Sequence, residues 1–140
     1  LWRDFYQSFE LVEGSTTRLS VPGKARVLNQ ATCFSFGPWQ IIANNSAKMI
    51  LERKSPNDTT FLNWPYHILK TDYENYALIY GCTSSNVSHA EPCPQPILWL
   101  FSRTVTLTGT HRTMLDTFID ETLCVNRTAL EITPHSDQSC

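Results

Sequence analysis

The chain has 140 residues and a mass of 16.0 kDa, the size of one domain around one core, and its 41% hydrophobic and 17% charged residues exclude a solvated disordered tail. Thirteen acidic against eleven basic residues leave a net charge of -2, with no electrostatic footprint for a polyanion, so nucleic acid is not an expected partner. No apolar run approaches the roughly 18 to 20 residues that a membrane-crossing helix needs.

The chain opens at Leu1 with neither a starting Met nor a signal-type segment, which suggests a processed or N-terminally incomplete chain. From there the pattern is short, alternating and rich in β-branched and aromatic residues, the mark of an all-β protein. Expected strands run over Ser8 to Thr16, Arg18 to Leu28, Ala31 to Phe36, Trp39 to Ala43, Lys48 to Lys54, Thr60 to Trp64, Tyr66 to Thr71, Asn75 to Cys82 and Ile97 to Arg103. Turn chemistry separates them at Gly37-Pro38, Asn44-Asn45-Ser46, Ser55-Pro56-Asn57-Asp58 and Pro92-Cys93-Pro94, while Pro22-Gly23 marks a turn or bulge inside the second. Thr110 to Leu123 then places Met114, Leu115, Phe118, Ile119 and Leu123 at helical spacing, with Thr108 or Thr110 as N-cap. Ala129 to Thr133 is a candidate last strand. Consecutive short strands and one late helix suit an antiparallel barrel with the helix packed outside, a β-sandwich being the alternative.

Five cysteines are present: Cys33, Cys82, Cys93, Cys124 and Cys140. None forms a Cys-x-x-Cys pair, and His67, His89, His111 and His135 do not fall at ligand spacing, so no metal site and no cofactor is expected. Four glycosylation sequons begin at Asn44, Asn57, Asn86 and Asn126, against roughly two expected by chance. Sequons and an oxidised cysteine set together imply a secreted, extracellular glycoprotein.

The run from Tyr66 to Cys82, with Thr71-Asp72-Tyr73 at its centre, resembles the Thr-Asp-Tyr motif of the lipocalins with its flanking strands. Ile97 to Arg103 is similar to the strand that ends in Arg before the lipocalin helix. The resemblance implies an up-and-down eight-stranded barrel in which Arg103 stacks on a tryptophan near the N-terminus; Thr71-Asp72-Tyr73 itself reads as a hairpin turn, with Asp72 accepting backbone hydrogen bonds and Tyr73 covering the barrel end. The Gly-x-Trp motif of the first lipocalin strand is not recognisable, and Leu1-Trp2-Arg3-Asp4-Phe5 looks like the approach to the second strand. The first strand is therefore expected to be missing from a single domain spanning residues 1–140. The order of the cysteines most resembles the plasma retinol-binding lipocalins, which implies Cys33–Cys140 and Cys82–Cys93, with Cys124 bound to an N-terminal cysteine that this chain lacks. Apolipoprotein D-like and tick salivary lipocalins are further relatives, the latter implying Cys82–Cys124 instead. The tick proteins' amine-binding motif carries two carboxylates that Cys82-Thr83-Ser84 and Ile97-Leu98-Trp99 lack, which disfavours a cationic amine as ligand.

Strand alternation sends every second side chain inward. The resemblance implies an inward set of Leu19, Val21, Phe36, Met49, Leu51, Tyr66, Ile68, Ala77, Ile79, Ile97, Trp99 and Phe101. Pattern alone allows this set to be plain core, since an eight-stranded barrel is just wide enough to be filled by side chains. The family likeness makes it the lining of a cavity for a small hydrophobic ligand: a sterol, retinoid or fatty acid. Tyr66 and Arg53 are the candidate polar handles, although Arg53 within Glu52-Arg53-Lys54 also fits a solvated strand position. No nucleophile elbow, phosphate loop or paired-carboxylate site suggests an enzyme; a reactive Cys124 is the one catalytic route to weigh. The expected function is that of a carrier or scavenger. The alternative is an immunomodulatory protein whose loops engage a cell-surface receptor or immune-cell target.

Overall fold

A computed structural model describes residues 2–54, 61–84 and 92–140; the side chains at 53, 54, 61 and 62 and the sequons at Asn57 and Asn86 lie outside what is described. Eight antiparallel strands form one curled sheet: β1 (Trp2–Gln7), β2 (Glu10–Leu11), β3 (Arg18–Val27), β4 (Phe34–Ile42), β5 (Lys48–Lys54), β6 (Phe61–Thr71), β7 (Tyr76–Cys82) and β8 (Pro96–Ser102). Helix α1 (Gly109–Glu121) follows, then a 3-10 turn at Arg127–Ala129. The order β1-β3-β4-β5-β6-β7-β8 is a meander, with β2 lying beside β3 beyond the end of β1. The molecule is thus an all-β, lipocalin-like half-barrel with one helix outside it.

Among the described residues no ladder joins β8 to β1 or β2. The two edges nonetheless approach: the rings of Phe5 on β1 and Phe101 on β8 lie 6.0 Å apart, and Phe9 reaches Phe101 at 6.2 Å. The curl therefore closes through side chains, and a lengthwise seam takes the place of backbone hydrogen bonds.

Several boundaries differ from the sequence expectation for local reasons. The expected strand over Ser8 to Thr16 shrinks to β2, because Val12 and Ser15 turn the chain back through Val12 N–H to Arg18 O and Ser15 N–H to Val12 O, with Gly14 in left-handed conformation. Instead Trp2–Gln7 forms an unforeseen strand, kinked between Arg3 and Tyr6 where Asp4 adopts positive φ. The expected break at Gly37-Pro38 does not end a strand, nor does Pro65 divide the expected strands Thr60 to Trp64 and Tyr66 to Thr71. The first becomes a bulge opposite Pro22, and Pro65 sits inside β6 across from Ile50, flanked by Trp64 and Tyr66, whose cross-strand partners are Leu51 and Met49. No strand forms over Ala129 to Thr133. On the helix Leu115 and Ile119 are buried as spaced, whereas Met114 is exposed; Thr108 is the N-cap, its hydroxyl meeting His111 Nδ1 rather than a backbone N–H.

Two apolar clusters result. Outside the sheet, Tyr76 and Leu78 pack on Leu115 and Ile119, with Leu69, Leu98, Leu100, Leu107, Phe118, Leu123 and Leu130 around them. Inside the curl lies the second cluster, described below. A strap completes the outer surface: the Asp4 N–H donates to Pro134 O, the Asp4 carboxylate accepts from the Ser136 N–H and hydroxyl and pairs with Arg26 at 2.7 Å, and Arg26 donates to Gln138 O. Cys33–Cys140 anchors the end of that strap and Cys82–Cys93 ties β7 to the approach to β8. Cys124, just beyond the helix, is a free, exposed thiol.

Candidate functional site: the concave face

The register fixes the inner face. Cross-strand partners share a side of the sheet, and the chain of partners runs Leu19–Ile41–Leu51–Trp64, Val21–Trp39, Met49–Tyr66–Gly81–Ile97, Ile68–Ile79–Trp99 and Ala77–Phe101. Val21, Met49, Leu51, Tyr66 and Ile79 are buried there together with Ile41; Leu19, Ile68, Ala77, Trp99 and Phe101 are half-buried against them. Phe36 and Ile97, also half-buried, share the face through their pairing with Gly23 and Gly81.

Trp39, Trp64 and Ala43 belong to the same cluster and were not anticipated. The bulge between Val21 and Gly23 explains Trp39: with Gly37 at positive φ and Pro38 inserted, Phe36 and Trp39 point to one side although three positions separate them. At Gly37 a Cβ would stand 2.9 Å from Val21 O, so glycine is what lets the bulge form. Trp64 is hidden by Pro65, which reads as punctuation in the sequence while the alternation of Trp64, Tyr66 and Ile68 continues through it.

Two glycines carry aromatic rings. A Cβ at Gly81 would come within 2.5 Å of the Trp99 indole, and one at Gly23 within 2.1 Å of the Phe36 ring, so each ring lies flat on a strand that has no side chain beneath it. From Phe36 the rings continue to Trp39 at 5.3 Å and to Phe5 at 5.3 Å, then across the seam to Phe101. Trp2 packs on Phe34 and Phe36. Aromatic surface thus lines the seam as well as the trough.

Tyr66 is the polar exception. The residue is 5% exposed, its ring lies 5.9 Å from that of Trp99, and its hydroxyl is buried without a hydrogen-bond partner. Burial pushes the phenol far above its ordinary value, so it is a neutral O–H donor at any physiological pH. Among the described inner-face residues none is charged; Arg53 occupies a register position two residues beyond Leu51, opposite Leu62.

The motif residues are structural. Asp72 Oδ1 accepts the N–H groups of Glu74, Asn75 and Tyr76, and its Oδ2 accepts the Asn75 side-chain amide; these bonds hold the carboxyl far below the usual aspartate range. Arg103 is exposed and donates to Tyr73 O at 3.1 Å, bracing the turn where the resemblance implied a stack on a tryptophan. Tyr73 is 82% exposed with positive φ and projects from the turn rather than covering the barrel end. No group of three His, Cys, Asp or Glu among the described residues stands close enough to hold a metal ion. Asn44 and Asn126 are exposed, and Asn126 Oδ1 accepts from the N–H and hydroxyl of Thr128, the third residue of its own sequon.

No known family model matches the chain, and no curated protein matches it. The likeness to lipocalins stands on architecture: eight antiparallel strands curled into one sheet, one helix after the last strand, and two disulfides.

Proposed function

We propose that the concave face binds a small hydrophobic molecule, and that the chain is a secreted, glycosylated, lipocalin-type carrier or scavenger. One observation supports this above the rest: aromatic residues on the inner face, Trp39, Trp64, Trp99 and Phe101 among them, are only partly buried, while a buried Tyr66 hydroxyl beside them has no partner. A core that was only core would cover its rings and satisfy its polar atoms. Covering several hundred square ångströms of that surface at about 25 cal/mol per Å² supplies enough free energy for micromolar binding after association costs. Sterols, retinoids and fatty acids all have the right apolar bulk. Secretion is supported by two disulfides and by exposed sequon asparagines at 44 and 126.

The test is native mass spectrometry of the protein purified from a eukaryotic secretory host, before and after enzymatic removal of N-glycans. A bound lipid and a glycan mass are expected; a reproducibly empty protein would reject the carrier reading. Trp99→Arg, which sets a charge in the trough, should abolish ligand retention.

A second reading is favoured by Tyr73, an exposed ring presented by a turn that Asp72 and Arg103 hold in place. Rigid exposed aromatics are typical anchors for a protein partner. On this reading the chain is an interaction protein for a receptor or immune-cell target, with or without lipid. Receptor or immune-cell binding would then survive Trp99→Arg and be lost in Tyr73→Ala.

A further inference from the structure

The polarity of the trough is lopsided in a way that selects among apolar ligands. Its buried oxygen without a partner is the Tyr66 hydroxyl. Around it stand Met49 across one ladder, Gly81 across the other and the Trp99 ring. A phenol with no partner in such surroundings has lost its water and gained nothing in exchange. It recovers that loss by donating to one oxygen on a ligand. An alcohol or carbonyl oxygen arrives at modest desolvation cost and accepts the bond. A carboxylate arrives as a full charge, finds a neutral donor in Tyr66 and no cation among the described side chains, and must give up its hydration for bonds to neutral groups.

We infer that the trough takes a neutral amphiphile, an apolar body carrying one alcohol or carbonyl oxygen that accepts a hydrogen bond from Tyr66 Oη, and discriminates against the matching carboxylate. The inference rests on the concave face being the binding surface proposed above, and it narrows that proposal from hydrophobic molecules in general to uncharged ones. Tyr66 is then a specificity-determining residue. The apolar walls supply most of the affinity and apply equally to both kinds of ligand.

Three probes with one chain length separate the possibilities: decanol, methyl decanoate and decanoate, titrated near neutral pH and followed by calorimetry and by tryptophan fluorescence. The expected result is binding of the alcohol and the ester, with decanoate weaker by roughly tenfold or more. Tyr66→Phe, which keeps the ring, should weaken the alcohol and the ester about fivefold and leave decanoate unchanged. The ratio in the unmodified protein stands without any variant, so a poorly folded mutant does not decide the matter. Equal binding of all three overturns neutral selectivity while leaving the carrier reading intact. Equal binding that Arg53→Gln removes for decanoate alone overturns it too, and assigns the charge recognition to Arg53. Failure of every probe, with no lipid in the purified protein, overturns both readings.

Discussion

The two sides of the sheet are built on different terms. On the outer side, aliphatic residues of β7 and β8 meet one helix, and Leu78, Leu115 and Ile119 reach essentially zero exposure. The inner side offers broader aromatic surface, yet Trp39, Trp64, Trp99 and Phe101 are only partly buried and Tyr66 keeps an unused hydroxyl. The same alternation feeds both faces, so the difference is one of covering: the helix finishes the outer face, and no described element finishes the inner one. Both sides hold buried aliphatic residues, Ile41, Val21 and Ile79 inside and Leu78, Leu115 and Ile119 outside, so what sets the inner side apart is its partly covered rings and an unanswered hydroxyl.

Cutting the outer fastening should have the largest effect. Cys33–Cys140 closes a loop of 107 residues, so replacing both cysteines with serine should cost about 4 to 5 kcal/mol on the chain-entropy account, read as a lower urea midpoint. Leu115→Ala, in the filled cluster, should cost about 3 kcal/mol in the same assay with little change in ligand affinity. Trp99→Ala should do the reverse: about 1 to 2 kcal/mol in stability and most of the binding. Comparable affinity losses from Leu115 and Trp99 would erase the distinction between the faces. Tyr66→Phe removes an unsatisfied atom and should stabilise the ligand-free protein by roughly 1 kcal/mol, seen as a higher melting temperature; destabilisation would mean that the hydroxyl has an unseen partner.

The finest test uses pH. The Ser136 backbone N–H, with Arg26 and the Ser136 hydroxyl, holds the Asp4 carboxyl down from 3.8 to about 2 despite its burial. A depressed carboxylate contributes stability that is complete above its ordinary value and is lost as pH falls through the folded one. Stability should therefore decline between pH 3.8 and about 2, with a shallower decline in Asp4→Asn, as followed by acid titration of the urea midpoint. Asp72 is depressed as well, so the variant should retain part of the slope. An unchanged acid slope in Asp4→Asn would show that the strap does not depend on the ionised carboxylate.

Much of the wall could be read from the residues. Lys48 to Lys54 carries the short apolar run Met49-Ile50-Leu51 between charged residues and forms β5 over that span, and the helical spacing of Leu115, Phe118 and Ile119 was enough to place α1 against the sheet. Residues that failed to announce themselves share one property: their placement is set by partners far along the chain. Trp2–Gln7 carries Arg3 and Asp4 in its middle, which argues against a strand until Ser136 and Arg26 are known to satisfy the aspartate. Arg103 offers no local clue that it braces a carbonyl thirty residues earlier. Trp39 and Trp64 were legible in principle, because a glycine or proline inside an alternating run signals a bulge or a close approach as readily as a break. Gly81 and Gly23 gave the same signal for the rings of Trp99 and Phe36. The polar logic of the trough was only half visible, since sequence places Tyr66 inward but does not reveal that its hydroxyl goes unanswered.

The strap between Asp4 and Ser136 also constrains the order of assembly. Its hydrogen bonds span 132 positions, so during synthesis β1 can pair with β3 early but is latched only once Ser136 has been made. Until Ser136 appears, Asp4 and Arg26 are two opposite charges with most of their shared cover still unsynthesised. β1 is thus paired early and latched late, and loss of the segment around Ser136 would leave Asp4 and Arg26 without that latch however well the helix had docked.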